Sequence, residues 1–488
     1  MRPADKKKIL PQLNMDRECS YKLVSVANSV GQETTQQLPF SRNRLISDFH
    51  SEKKMTTYAF VGQIVHSLGT FGQLDVHTNA VLIVRDGKIV CLEPEDNLAG
   101  LIERHQVSQA NVVKMTKGQF LMPGLIDTHV HAPQYPNVGL GYDKTLLQWL
   151  ETYTFPLEAS YSNETMAQKV YEAVVKRTLG AGTTTACYFA TIHKGSTLIL
   201  ARQCVQQGQR ALIGKVNMNA NSPENYREVT QNSTRDTEDF IKEIRALQVS
   251  RVQPIITPRF AISCDADLML KLGQIAEKYD VHIQTHISEN LGEIAFVKEL
   301  FPESKNYAEV YQKAKLLTNK TILAHGVHLL DEELQLLAQT GTAVSHCPNS
   351  NTSLQSGMCD VKRLLHHNVK VGLGTDMSGG YGHSIMDAMR QALSVSTCIS
   401  FNKADYKPLD FQHVVHLATL GGAQALALDE AIGNFVPGKE FDAILVDMDA
   451  GPSELIKEYS TLELIQKFVY LADDRNIKQV YVSGAKVK

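Results

Sequence analysis

One valine separates His129 from His131 in the run Leu125-Ile126-Asp127-Thr128-His129-Val130-His131. In a strand, residues i and i+2 face the same side, so this spacing aims two imidazoles together. Three more polar residues close apolar runs in the same manner. They are His286 in Thr285-His286-Ile287-Ser288-Glu289, His325 in Ala324-His325-Gly326, and Asp376 in Gly374-Thr375-Asp376. A lone buried histidine is more often a satisfied core residue than a ligand, and a lone aspartate after a strand is more often a cap. Four histidines and an aspartate at the ends of such runs make chance a poor explanation. Imidazole nitrogens and a carboxylate oxygen suit a divalent first-row metal, zinc ahead of iron. Such an ion lowers the pKa of bound water toward about 7, which provides hydroxide at neutral pH. Glu289, three residues past His286, can stand beside the metal without ligating it and carry a proton.

These residues need a scaffold that gathers strand ends. From about residue 119, short β-rich runs alternate with helical stretches. The runs are 119–130, 183–190, 211–217, 252–260, 281–287, 321–326, 342–347 and 369–375. This alternation predicts parallel βα units, and eight of them predict a (β/α)8 TIM barrel, an α/β fold with its active site at the C-terminal strand ends. The intervening helices have readable ends: 163–179 stops at Gly180, 196–207 stops at Gly208, and Asp331 caps a helix running to Gly341. The barrel is expected over 119–433.

Residues 57–117 read as short strands, with Asp86-Gly87 as a tight turn between two apolar runs. After 434 the pattern returns to short strands in FDAILVDMD and NIKQVYVSG. Residues 55–118 and 434–488 are therefore expected to form one small β-sandwich domain from both ends of the chain, with a charged helix at 456–472. Residues 1–54 hold ten basic and six acidic residues and read as a flexible tail.

Composition narrows the function classes. The formal net charge is -3, and no basic stripe is visible, so neither nucleic acid nor a membrane is expected as a partner. The eight cysteines are scattered without a CxxC pair, which argues against a disulfide framework and for a reducing compartment, the cytoplasm. No run of 18 apolar residues suggests a transmembrane helix. Cytidine-type deaminases pair HxE with PCxxC, and no PCxxC occurs here.

The motifs PGLIDTHVH, THISE, AHG, SHCPNSN and GLGTDMSGG, with the closing GNFVPGKEFDAILVD, resemble the amidohydrolase superfamily in its deaminase and chlorohydrolase branch. The resemblance spans roughly 55–488. It implies that His129, His131, His286 and Asp376 hold one metal and that Glu289, His325 and Asp376 are catalytic. Two-metal members usually carry a modified lysine at the end of the fourth strand. Here that place reads Pro258-Arg259-Phe260, which implies a mononuclear site. Members are commonly homodimers, and the same is expected here.

The loop His131-Ala132-Pro133-Gln134-Tyr135-Pro136-Asn137 and the run Thr257-Pro258-Arg259-Phe260 resemble those of guanine-deaminating members. The implied reaction is hydrolytic deamination of guanine to xanthine and ammonia, a step of purine catabolism. The implied substrate contacts are His131, Ala132, Pro133, Gln134, Arg259, Phe260, His286, Glu289 and Asp376. Arg259 offers fixed donors to a ring carbonyl, and Gln134 offers a donor and an acceptor to a lactam edge. Phe260, Trp149 or Tyr153 can stack on the ring, although Trp149 has a packing alternative and Arg259 an ion-pairing one. In the implied mechanism Glu289 takes a proton from the hydrolytic water and delivers it to ring N3. Hydroxide attacks C2, Asp376 accepts the second proton, and His325 stabilises the tetrahedral centre. Two rivals stay open: a deaminase of another aminopurine, a pterin or a triazine-like ring, and a non-catalytic scaffold on the same fold. The full ligand set together with Glu289 weighs against the scaffold.

Overall fold

The computed structural model describes residues 56–488, so the tail expected over 1–54 lies outside the described residues. Eight parallel strands form a nearly closed barrel. They are β1 (Leu125–His131), β2 (Thr183–Phe189), β3 (Arg210–Gly214), β4 (Val252–Pro258), β5 (His282–Ile287), β6 (Thr321–His325), β7 (Ala343–His346) and β8 (Lys370–Leu373). Each pairs with its sequence neighbour, from β1 to β8 in order. Helices cross over between them, as parallel strands require. β1 and β2 are buried at every position.

The ring is joined across β1 and β8 by backbone and side-chain bonds at the active end. Asp376 N donates to His129 O (2.9 Å), His131 N to Met377 O (3.2 Å), and Thr128 Oγ1 to Leu373 O (2.9 Å). Gly374 permits this approach. A Cβ there would lie 2.5 Å from Ser345 Oγ and 3.0 Å from His129 Cβ.

A second, mixed sheet draws strands from both ends of the chain. Its order is Ala485–Lys486, Ile477–Val482, Ala443–Asp447, Gln119–Pro123, Thr57–His66, Asp75–Arg85 and Lys88–Pro94, with Val112–Lys114 paired to Thr57–His66. Asp86 and Gly87 both have positive φ (+52° and +81°) and make the tight turn between two of these strands. The single run expected at 119–130 is in fact two strands. Gln119–Pro123 pairs antiparallel with Ala443–Asp447, then Gly124 turns the chain into β1. Both pieces are fully buried, and apolar residues flank the junction on each side (Phe120, Leu121 and Met122, then Leu125 and Ile126), so no break in burial or hydrophobicity marks the division. At Gly124 a Cβ would meet Thr184 Oγ1 at 2.1 Å, which is why the switch falls there.

Helix ends also refine the sequence reading. Asn163 caps the helix Glu164–Gly180, and the left-handed glycine beyond it is Gly182 rather than Gly180. Gly208 and Gly341 close their helices in left-handed conformation. Asp331 is the first residue of its helix, with Leu330 at the cap position. The charged helix spans Thr461–Leu471, where Ser460 and Glu463 form a capping box. Arg210, at the start of β3, ties barrel to sheet through Asp442 (2.8 Å) and Glu440 (2.6 Å).

Candidate metal centre and active site

The strand ends deliver their side chains to one place. His129 and His131 end β1, His286 lies in β5, and Asp376 follows β8. One ligand atom from each of these four falls within 4.8 Å of all the others. His129 Nε2 lies 3.1 Å and His131 Nε2 3.4 Å from Asp376 Oδ1, and His131 Nε2 lies 3.1 Å from His286 Nε2. All four are at least nine-tenths buried.

Proton positions show that this group fits a cation. His286 Nδ1 sits 2.6 Å from the Arg259 carbonyl, which can only accept. The proton is therefore on Nδ1, and Nε2 presents a lone pair. This is the arrangement in which an outer carbonyl orients a ligating imidazole. His129 Nε2 is buried and faces the Asp376 carboxylate at 3.1 Å. Burial holds His131 and His286 well below the usual histidine range, and neighbouring imidazoles add to the effect. Burial opposes ionisation of Asp376, but the hydrogen bond and charge of His129 overcome it and hold the carboxyl below its usual range. Neutral imidazoles and an ionised carboxylate are the protonation states that ligate a metal.

His325 and Glu289 flank this cluster. His325 Nε2 is 3.4 Å from Glu289 Oε2 and 3.9 Å from Asp376 Oδ2. Its Nδ1 bonds Asn351 Oδ1 at 2.9 Å. Burial works against its charged form, yet the Glu289 and Asp376 carboxylates raise it above the usual range. Glu289 is pushed up to about 7 by burial, and Ser356 Oγ donates to its Oε1 (3.1 Å). His325 and Asp376 both have positive φ, +77° and +44°, and left-handed backbone at a non-glycine residue costs about 1–2 kcal/mol. Strain of this kind concentrates at functional sites.

A small cavity opens beside the cluster. Gln134, Arg259 and Phe260 line it, together with His131, His286, Glu289, His325 and Asp376. Ala132 and Pro133 do not reach it. They are buried in the short helical stretch Ala132–Asn137 that carries Gln134, and Pro133 O accepts from Tyr161. Trp149 lines the cavity with Leu146, Leu150 and Leu354, while its Nε1 donates to Leu140 O (3.1 Å). Tyr153 is not among the lining residues.

Sequence reading missed Glu158, which is fully buried. It forms an ion pair with Arg259, and it also accepts from Gln134 Nε2 (2.8 Å) and Tyr226 OH (2.7 Å). It sits in the helical turn Phe155–Ala159, with no motif to mark it. Asp127 was likewise missed. Burial pushes it up to about 7, and it accepts from Thr375 Oγ1 (2.6 Å), Thr375 N (3.1 Å) and His129 N (3.2 Å), fixing the backbone at the candidate ligand His129 and at the residue before Asp376. Its place two residues before His129 was the available signal.

A second His/Asp group, His66, Asp75 and His77, lies in the mixed sheet. Phe435 N donates to His66 Nδ1 (3.1 Å), so the imidazole proton is on Nε2, 3.3 Å from Asp75. That nitrogen carries the ring proton toward Asp75 without a well-formed hydrogen bond, so it offers a cation no lone pair.

Residues 120–487 match the amidohydrolase family. The chain belongs to that family. Among its amidohydrolase relatives, guanine deaminase of Mus musculus is 48% identical over 437 residues, covering 88% of this chain and 96% of the relative. Guanine deaminase of Escherichia coli (strain K12) is 33% identical, covering 84% and 91%. Among solved structures, guanine deaminase from C. acetobutylicum with guanine bound in its active site superposes with a TM-score of 0.82 at 34% identity. That match covers 89% of this chain and 100% of the other.

Proposed function

We propose that this chain deaminates guanine, with water replacing the amino group to leave xanthine and ammonia, at one divalent metal held by His129, His131, His286 and Asp376. The observation that carries the reading is the cluster itself. Four ligand atoms lie within 4.8 Å of one another, with Glu289 and His325 beside them and Arg259 and Gln134 across one cavity. The similarity to guanine deaminases at 48% identity supplies the substrate. Zinc is the proposed ion, with iron(II) next, because imidazole and carboxylate ligands suit both. The ion, when bound, supplies Lewis-acid activation of the hydrolytic water.

The protein's own groups divide the remaining work. Glu289 takes a proton from the water and passes it to ring N3. A group raised to about 7 both accepts and donates near neutral pH, which is the condition for efficient transfer. Asp376 takes the second proton and returns it to the amino group, so that the C2–N bond breaks and ammonia leaves as C2=O forms. His325, held by Asn351, hydrogen-bonds the tetrahedral centre at C2. Arg259 and Gln134 bind the lactam edge, and Phe260 and Trp149 close on the ring. The end of β4 carries Pro258-Arg259-Phe260, with no lysine to bridge a second ion, which supports a mononuclear site. A domain limit at 433–434, a second at Gly124 in place of 118–119 because Gln119–Pro123 lies in the mixed sheet, a homodimeric assembly and a cytoplasmic location belong to the same reading. The location rests on scattered cysteines, and the homodimer on family resemblance alone. Among the described residues no helix is long and apolar enough to cross a membrane.

The test is a guanine-to-xanthine assay with ammonia release on the purified chain, with metal content measured on the same sample. Turnover with about one ion per chain is expected, as for a site built from four protein ligands. Bound metal without guanine turnover would move the substrate to another amino-heterocycle.

A further inference from the structure

Glu158 touches neither the metal cluster nor the cavity, yet it organises two of the residues that line the cavity. All of its oxygen capacity is used. Oε1 accepts from Gln134 Nε2 (2.8 Å) and Arg259 Nη2 (3.3 Å), and Oε2 accepts from Arg259 Nη1 and Tyr226 OH (2.7 Å). A carboxylate cannot donate, so the Gln134 amide must turn its nitrogen toward Glu158. Its Oε1 then faces away, 3.4 Å from Ser378 N. That leaves one N–H and one oxygen lone pair of Gln134 in a fixed sense. The sense matches a lactam, which offers a carbonyl acceptor beside an N–H donor.

The charge balance matters as much. Arg259 and Glu158 are 3% and 0% exposed, so their charges meet in a medium of low dielectric. An unpaired guanidinium at this depth would be a strong anion site. Paired with Glu158 it keeps N–H donors for a neutral carbonyl but has no net charge to offer an anion. The reaction makes this distinction useful. Deamination places a second carbonyl, C2=O, between N1–H and N3–H, and the ring N–H groups beside it are more acidic than any N–H of guanine. The product therefore ionises more readily than the substrate.

We infer that Glu158 is a positioning and charge-balancing residue that makes the recognition pocket select neutral lactams over anionic purines, and so favours substrate over ionised product. This rests on the guanine-deaminating reading above. The remaining charged or titratable residues lining the cavity are His131, His286, His325, Glu289 and Asp376, which the substitutions below leave in place.

The probes are hypoxanthine, a neutral lactam, and urate, an anion at neutral pH. Their dissociation constants are measured by calorimetry on metal-loaded wild type, Glu158→Gln and Arg259→Gln, with guanine turnover recorded on the same wild-type preparation. Glu158→Gln leaves an unbalanced positive charge. The ratio of urate to hypoxanthine dissociation constants should fall about tenfold or more, the usual scale for a desolvated charge contact. Arg259→Gln leaves an unbalanced negative charge, and the ratio should rise. A general loss of structure weakens both ligands and does not move the ratio in opposite senses. If Glu158→Gln does not fold, the double variant Glu158→Gln/Arg259→Gln takes its place. Being neutral again, it should keep the wild-type ratio while Arg259→Gln raises it. Any other pattern overturns the inference. Wild type that turns over guanine with such a pattern sinks this inference alone, whereas metal-loaded wild type without turnover sinks the functional reading beneath it.

Discussion

The metal cluster and the recognition pocket share one barrel rim but are built differently. His129, His131 and His286 stand on strands whose neighbours fix them by ladder hydrogen bonds, and Asp376 and His325 occupy left-handed turns directly at strand ends. Gln134 and Glu158 instead sit on the insertion between β1 and β2, in short helical stretches that include the π turn Leu150–Thr154. The cluster is thus set by the fold, while the pocket is set by side chains holding one another. The difference teaches where chemistry and where specificity can change: an inserted segment can be replaced without moving a barrel strand.

Substitutions can break this contrast. The largest effect is expected at a ligand. His286→Ala should abolish both bound metal and turnover, read by elemental analysis and guanine assay, while the circular dichroism spectrum stays native. Retained stoichiometric metal would remove His286 from the ligand set. Glu289→Gln should come next. It should keep the metal and lose about 100- to 10,000-fold in kcat, the usual range for a lost proton-transfer group. A kcat near wild type would end its role as proton carrier. Asn351→Ala should do less, because it removes only the partner of His325 Nδ1. A loss of about tenfold to 100-fold in kcat with little change in KM is expected, in line with other orienting partners. A rise in KM alone would place Asn351 on the recognition side instead.

The smallest effect on kcat should come from the junction with the mixed sheet. Arg210→Ala strands Asp442, which is 4% exposed, and removing one partner of a buried pair costs about 3–5 kcal/mol. Denaturant melts should show that loss while kcat per folded, metal-loaded chain holds. A large drop in kcat would mean that the sheet helps to shape the rim.

The same contrast explains what the sequence disclosed. His129, His131, His286 and Asp376 were legible because period-two spacing and strand-end position are local properties, and the structure brings all four together. The eight strands were legible because β-rich runs alternate with capped helices. The division of 119–130 into two strands was not, since Pro123-Gly124 interrupts neither burial nor hydrophobicity. Glu158 was invisible for a different reason. Its partner Arg259 is 101 positions away, and nothing in Phe-Pro-Leu-Glu-Ala distinguishes it from a solvated helix face. Arg259 itself was read both as a substrate contact and as an ion-pair partner, and it lines the cavity while pairing with Glu158.

Arg259 also joins the two halves. Its carbonyl holds the His286 ring at 2.6 Å, and its guanidinium faces the cavity from the other end of the same residue. On the proposed function, a purine that pins the guanidinium should steady the His286 imidazole, and by thermodynamic reciprocity the ion should then strengthen the hold on the purine by the same factor. A chelator should then strip the ion more slowly from the enzyme at work than from the enzyme starved of substrate.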